Sequence, residues 1–280
     1  MTALLTVSDL RLRYPGSGFR RKAPEILRGV SIEIAPGETL GLVGESGSGK
    51  TTLGRAILGL ATPTGGSIVF EGNDITHLRP KARRPLAKDI QVIFQDPYTS
   101  LNPALSISEI LAEPLIGQGV EGREARKTVS QLLDRVGLPA DAANRYPREF
   151  SGGQRQRVAI ARALALRPKL IVCDEPVSAL DLTTQAIVLE LLLELQRDTG
   201  VAYLFITHDL SVVRHISHRV AVMYQGELVE TGPVRQVTED PVSDYTKRLV
   251  LAAPTADPDR QREKRAARRL LAEANAAGSA

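Results

Sequence analysis

The 280-residue sequence has no tryptophan and only one cysteine. A lone thiol, Cys173, forms no internal disulfide and excludes any metal centre built from several cysteines. It stands in an apolar run just before two acids, where a core residue is expected. Long hydrophobic runs are missing too. Stretches such as 187–195 are broken by Glu190 and Glu194, and nothing approaches the roughly 20 apolar residues of a membrane-crossing helix. Residues 1–10 lack the basic and apolar regions of a secretory signal, so the expected location is the cytoplasm. No fixed-period repeat is present, which argues against a solenoid or a tandem cassette. Nor does one sign of charge dominate. Lys and Arg number 36 against 32 Asp and Glu, a net charge of +4 spread along the chain, and no nucleic-acid partner is expected.

What is present suits a large globular core, with 42% hydrophobic residues. Short apolar runs bounded by glycine and proline, at 30–34, 39–43, 67–70, 90–94, 170–173, 202–206 and 220–224, alternate with helical patterns. The expected fold class is α/β. Between about 106 and 166 the pattern is helical with no convincing strand, which predicts a helical subdomain inserted into the α/β core. Arg20, Arg21 and Lys22 lie between Pro15 and Pro24, where an exposed turn is expected. From 254 onward Arg262, Lys264, Arg265, Arg268 and Arg269 mark a basic tail. Neither basic segment carries a functional expectation.

One motif carries chemistry by itself. A buried-strand pattern at 40–43 runs into Gly44-Glu45-Ser46-Gly47-Ser48-Gly49-Lys50-Thr51, followed by a helical pattern from Thr52 to Leu60. This is a phosphate-binding loop in its strand, loop, helix context. Glycines let backbone amides converge on phosphate oxygens at a helix N-terminus, whose partial positive charge favours the anion. Lys50 adds a full charge against the β- and γ-phosphates, and the Thr51 hydroxyl is suited to Mg²⁺. A second apolar run ends in Asp174 and Glu175, and strand ends of this kind carry functional groups in parallel sheets. Asp174 is expected to support Mg²⁺, and Glu175 to polarise water.

The run Phe150-Ser151-Gly152-Gly153-Gln154 resembles the signature of ABC ATPases, usually Leu-Ser-Gly-Gly-Gln, with phenylalanine in the leucine position. The other motifs of that family follow in order: Gln95 after a strand, Ser178 to Asp181 after the paired acids, and His208 after the strand at 202–206. Tyr14 resembles the aromatic that stacks on adenine. The resemblance implies a RecA-like core with an antiparallel β subdomain and an inserted α-helical subdomain. It also implies hydrolysis of ATP with Mg²⁺. Glu175, His208, Gln95 and Lys50 would be catalytic. Tyr14, the 44–52 loop, the 151–154 signature and Asp181 would bind nucleotide, and Thr51, Gln95 and Asp174 would hold the metal. In this family the signature of one subunit faces the P-loop of another.

The run Gln95-Asp96-Pro97-Tyr98-Thr99-Ser100-Leu101-Asn102-Pro103 resembles the peptide and nickel uptake branch. So does Asp240 to Leu249, although Ser243 and Asp244 stand where that branch has His-Pro. The branch implies an ABC domain at 1–240 and an extension plus basic tail at 241–280. Its implied partners are a second ATPase, identical or related, two transmembrane permeases and an extracytoplasmic solute-binding protein. The chain would then sit at the cytoplasmic face of the membrane. An exporter ATPase and a soluble non-transport ABC ATPase are the competing expectations.

Overall fold

The computed structural model describes residues 2–14 and 24–253. The basic loop and the basic tail noted above lie outside them. Two strands open the chain, β1 (Leu5–Arg13) and β2 (Glu25–Ile34), followed by β3 (Thr39–Val43) and α1 (Lys50–Ile57). Next come β4 (Gly65–Phe70), β5 (Asn73–Asp74), the short helix α2 (Pro80–Arg83) and β6 (Ile90–Ile93). The stretch that follows is helical: α3 (Pro97–Ser100), α4 (Ile107–Gly117), α5 (Gly122–Arg135) and α6 (Gly152–Leu164). The chain then returns to alternation with β7 (Leu170–Asp174), α7 (Leu182–Thr199), β8 (Ala202–Thr207), α8 (Leu210–Ile216) and β9 (Arg219–Tyr224). It ends in β10 (Glu227–Pro233), α9 (Val234–Glu239) and α10 (Asp244–Ala252).

The six-stranded sheet runs β10-β9-β3-β8-β7-β6, parallel except for β10. Every residue of β3 and of β8 is buried, because helices or a second sheet cover both faces of a parallel sheet and leave no polar side to alternate with. One face packs on α1 and on the antiparallel sheet β2-β1-β4-β5, through a cluster containing Leu12, Leu42, Leu53 and Leu204. The other packs on the helical stretch and α7, through Ile93, Leu111, Val158, Leu192 and Phe205. Cys173 is fully buried there, as expected. Helix α5 shows why its segment reads as helix: Ala125, Val129, Leu132 and Leu133 recur at helical spacing and all are buried. Helix α4 starts at a capping box in which Ser106 and Glu109 bond each other's backbone amides.

The α/β architecture and its subdomains match the expected fold class. Strand limits differ from the sequence expectation in several places: β1 and β5 are not among the expected runs, and β4 starts two residues earlier. β2 begins at Glu25, five residues before the apolar run, because Gly29 (φ 91°) carries the strand through a distortion that breaks the pattern. β10 was not expected. It is a partly exposed edge strand containing Glu227, Glu230, Gly232 and Pro233, so it lacks the apolar signal of its neighbours. Among the described residues no helix is long and apolar enough to cross a membrane.

Candidate functional site

β3 ends at Val43, and the loop from Gly44 to Gly49 turns directly into α1. Two of its glycines are required by space as well as by conformation. A Cβ on Gly44 (φ 154°) would come within 2.1 Å of the Met223 carbonyl oxygen, and one on Gly49 (φ 109°) within 3.0 Å of the Ile26 carbonyl oxygen. The loop is also fastened from outside, since the Gly226 amide donates to the Ser48 carbonyl over 2.9 Å. Gly226 sits in the β9–β10 turn, whose two central residues, Gln225 (φ 47°) and Gly226 (φ 87°), both have positive φ. Glu45, Ser46 and Gly47 form the exposed rim of the loop, while Ser48, Gly49 and Lys50 are buried.

The Lys50 ammonium donates to the carbonyl oxygens of Gly44 and Glu45, both at 2.8 Å. Burial pushes its pKa down, against the pull of Glu175, Asp174 and Glu45. Beside it the Thr51 hydroxyl donates to Asp174 Oδ1 over 2.9 Å. Burial pushes the Asp174 carboxyl up, and the Thr51 hydrogen bond opposes that shift. Thr52 follows on the first turn of α1, partly exposed.

At the end of β7, Glu175 adopts φ 49°, a region that non-glycine residues rarely occupy and that marks functional positions when it persists. Its amide donates to the Ile206 carbonyl of β8 at 2.9 Å, which fixes it beside the sheet. Its two carboxylate oxygens have separate partners. Gln95 Nε2 donates to Oε2 at 3.2 Å, and His208 Nδ1 lies 3.2 Å from Oε1. The glutamate side chain is mostly shielded while the histidine is about half exposed. Three motifs far apart in sequence thus converge on one carboxylate.

The donor set fits a nucleotide with Mg²⁺. The glycine cradle leaves room for phosphate only because no Cβ fills it, and Thr51 and Asp174 bring hard oxygen atoms together at the start of α1. Gln95 has Nε2 committed to Glu175, leaving Oε1 to a cation. Among the described residues no group of three or more His, Cys, Asp and Glu could hold a metal unaided.

The signature forms a different surface. Ser151 caps α6 in a capping box: its amide donates to Gln154 Oε1 at 3.0 Å, and its Oγ accepts from the Gln154 amide at 3.3 Å. Phe150 is buried, so an apolar side chain of either kind meets the need there. A Cβ on Gly153 would strike Thr184 Cγ2 at 2.2 Å, so α6 and the start of α7 touch through that methyl. Asp181 caps α7, accepting from the Thr184 amide at 3.0 Å and its hydroxyl at 2.7 Å. Among the described residues no hydrogen bond or ion pair joins residues 151–154 to the 44–52 loop. Tyr14 follows Arg13, the last residue of β1, which pairs with Glu25 next to the Ile26 that touches Gly49. Tyr14 as a whole is 41% exposed.

Sequence reasoning did not find Met223, Gly226 or Tyr245 as neighbours of the loop. Tyr245 of α10 accepts a hydrogen bond from the Glu45 amide at 3.1 Å, across 200 residues of sequence.

A strand, phosphate loop and helix beside a paired-acid strand, on a predominantly parallel sheet, define a P-loop nucleotide-binding domain. The chain belongs to the ABC transporter family, whose model matches residues 27–178. It is similar to the glutathione import ATP-binding protein GsiA of Escherichia coli, 52% identical over 267 residues, covering 94% of this chain and 43% of that protein. The GsiA of Salmonella paratyphi A gives 52% identity with the same coverage. The chain therefore spans less than half the length of these curated relatives. Among solved structures, cbiO1 of Clostridium perfringens, part of the ABC transporter complex cbiONQ, superposes with TM-score 0.76 at 29% identity, covering 89% of this chain and 94% of that one. The dimeric cassette MJ0796, bound to ADP and Pi in a post-hydrolysis state, gives 0.74 at 31% identity, covering 82% and 99%.

Proposed function

We propose that this chain hydrolyses ATP to energise uptake of a small peptide or similar small solute through an ABC transporter. The observation that carries the chemistry is the Glu175 carboxylate held between Gln95 and His208, beside the Thr51–Asp174 pair. The uptake reading is supported by relatives named for glutathione import, itself a small peptide. Nickel remains a second solute class of the same branch.

In the proposed reaction Glu175 takes a proton from the attacking water. The water oxygen bonds to the γ-phosphorus as the bond to the β–γ bridging oxygen breaks, and ADP leaves with that electron pair. Lys50 sets its charge against the developing charge on the phosphates, with its ammonium positioned by the Gly44 and Glu45 carbonyls. Gln95 orients Glu175 through Oε2. His208 has Nδ1 turned to Glu175, so Nε2 is the ring atom left to reach the γ-phosphate. Thr51, Asp174 and Gln95 would hold Mg²⁺, which would withdraw charge from the phosphate oxygens. Residues 44–52 cradle the phosphates and Tyr14 covers the base.

The capping of α6 by Ser151 and of α7 by Asp181, with Gly153 against Thr184, makes one continuous surface and supports a composite site in which these residues serve a nucleotide held by a second ATPase subunit, identical or related. Two permeases and an extracytoplasmic solute-binding protein complete the proposed assembly, with this chain on the cytoplasmic face. Residues 1–240 would form the ABC domain, with residues 106–166 as its helical subdomain, and 241–280 the extension and tail. The test is affinity purification from native membranes with identification of the subunits that accompany the chain. Two integral membrane proteins, a second ATPase and a solute-binding protein are expected. Recovery of ribosomes or DNA-repair factors, or of permeases with no binding protein, overturns the uptake reading.

A further inference from the structure

The phosphate loop is held from the far end of the chain by a contact that no motif describes. Glu230 of β10 accepts the amides of Val242 at 2.9 Å and Ser243 at 3.0 Å, one on each carboxylate oxygen. This acid sits at the N-terminus of α10, where negative charge is favoured, and sets the direction in which the helix leaves β10. One residue inside that helix, Tyr245 is 6% exposed and packs its ring 4.3 Å from that of Tyr224. Packing alone would be served equally by phenylalanine. The hydroxyl adds the bond to the Glu45 amide at 3.1 Å. Glu45 is thereby held on both sides, its amide by Tyr245 and its carbonyl by the Lys50 ammonium at 2.8 Å.

We propose that Tyr245 is a positioning residue for ATP hydrolysis, fixing through the Glu45 backbone where Lys50 rests. The segment that follows β10 thus sets the affinity of the P-loop for nucleotide without touching it. This inference rests on the reading of residues 44–51 as the ATP site.

The experiment compares the full chain with Tyr245→Phe and Tyr224→Phe. Tyr245→Phe keeps the ring and loses only the bond to Glu45, while Tyr224→Phe loses a hydroxyl that accepts instead from Gln225. For Tyr245→Phe the KM for ATP is expected to rise about 3- to 10-fold, the worth of one ordinary hydrogen bond. Its kcat should change less, and hydrogen exchange at the Glu45 amide should quicken by a similar factor. Tyr224→Phe should leave KM unchanged. Glu230→Ala, which frees the start of α10, should raise KM in the same direction with Tyr245 intact. An unchanged KM and exchange rate in Tyr245→Phe, or equal KM shifts in the two phenylalanine variants, overturns the positioning role while leaving the ATP site standing. Loss of the site reading itself is seen without these variants. If Lys50→Met hydrolyses ATP as fast as the wild type, both inferences fall together.

Discussion

The Thr51 hydroxyl donates to Asp174 Oδ1 over 2.9 Å, joining the first turn of α1 to the end of β7. Because of this bond the phosphate loop and the acid strand form one preassembled site. The arrangement costs stability: burial disfavours the charged form of both Lys50 and Asp174. Such conflicts between folding and charge concentrate where chemistry is done.

Replacing Lys50 with Met should therefore separate activity from stability. Hydrolysis is expected to fall by about a hundredfold or more, since a charge aimed at the phosphates is lost. The thermal midpoint should stay the same or rise, because a buried ammonium is gone. Steady-state ATPase assays and a melting curve on the same preparation check both. A lower midpoint with activity retained would sink the assignment.

For Asp174→Asn the sign follows from the raised carboxyl pKa. An acid that holds its proton more tightly when folded favours folding at low pH. That contribution disappears as pH climbs from the ordinary value of 3.8 through the raised one. The asparagine variant, which keeps an acceptor for Thr51, should gain on the wild type across that window and stay ahead at neutral pH. Melts of both proteins from about pH 4 to pH 7 read the difference. Parallel curves would mean that burial does not disfavour the Asp174 charge.

Glu175→Gln retains the shape of the side chain that Gln95 and His208 meet but cannot take a proton. Turnover should drop by roughly 10²- to 10⁴-fold while ATP binding is kept. Single-turnover hydrolysis and equilibrium nucleotide binding separate the two, and near-normal turnover contradicts the role given to Glu175.

Gly153→Ala places a methyl against Thr184 Cγ2. A cost of about 1–3 kcal/mol is expected from overpacking. Adding Thr184→Ser removes the offending methyl and keeps the hydroxyl that Asp181 accepts. The double variant should recover most of the loss in a denaturant titration; failure to recover it would place the strain elsewhere.

Much of the core was legible in sequence because fully buried strands announce themselves. Thr39 to Val43 and the apolar run into Asp174 are nearly unbroken, and each ends where the chemistry begins. Legibility faded where the backbone departs from regular geometry. β1 is bulged after Val7, with Asp9 at φ 45°, so buried Leu5 and Val7 alternate out of step with buried Leu10 and Leu12. Strand order was not written in any local pattern, nor was the passage of the β9–β10 turn beneath Ser48. Lys50, Thr51, Gln95, Asp174, Glu175 and His208 could be named from motifs. Tyr245 could not, because nothing local distinguishes an aromatic that reaches a loop 200 residues away from one that fills a core.

The methyl contact between Gly153 and Thr184 couples two helices mechanically. Thr184 lies on the first turn of the helix that follows Glu175, and Gly153 lies on the first turn of the helix that Ser151 caps, the one that faces the neighbouring subunit's nucleotide in the proposed assembly. With the Gly153 backbone packed directly against the Thr184 methyl, there is little slack to absorb a shift. A displacement at the start of α7 would therefore be handed to α6 as a rigid push, so the capped end that carries Ser151 would move with the segment after Glu175 instead of staying behind.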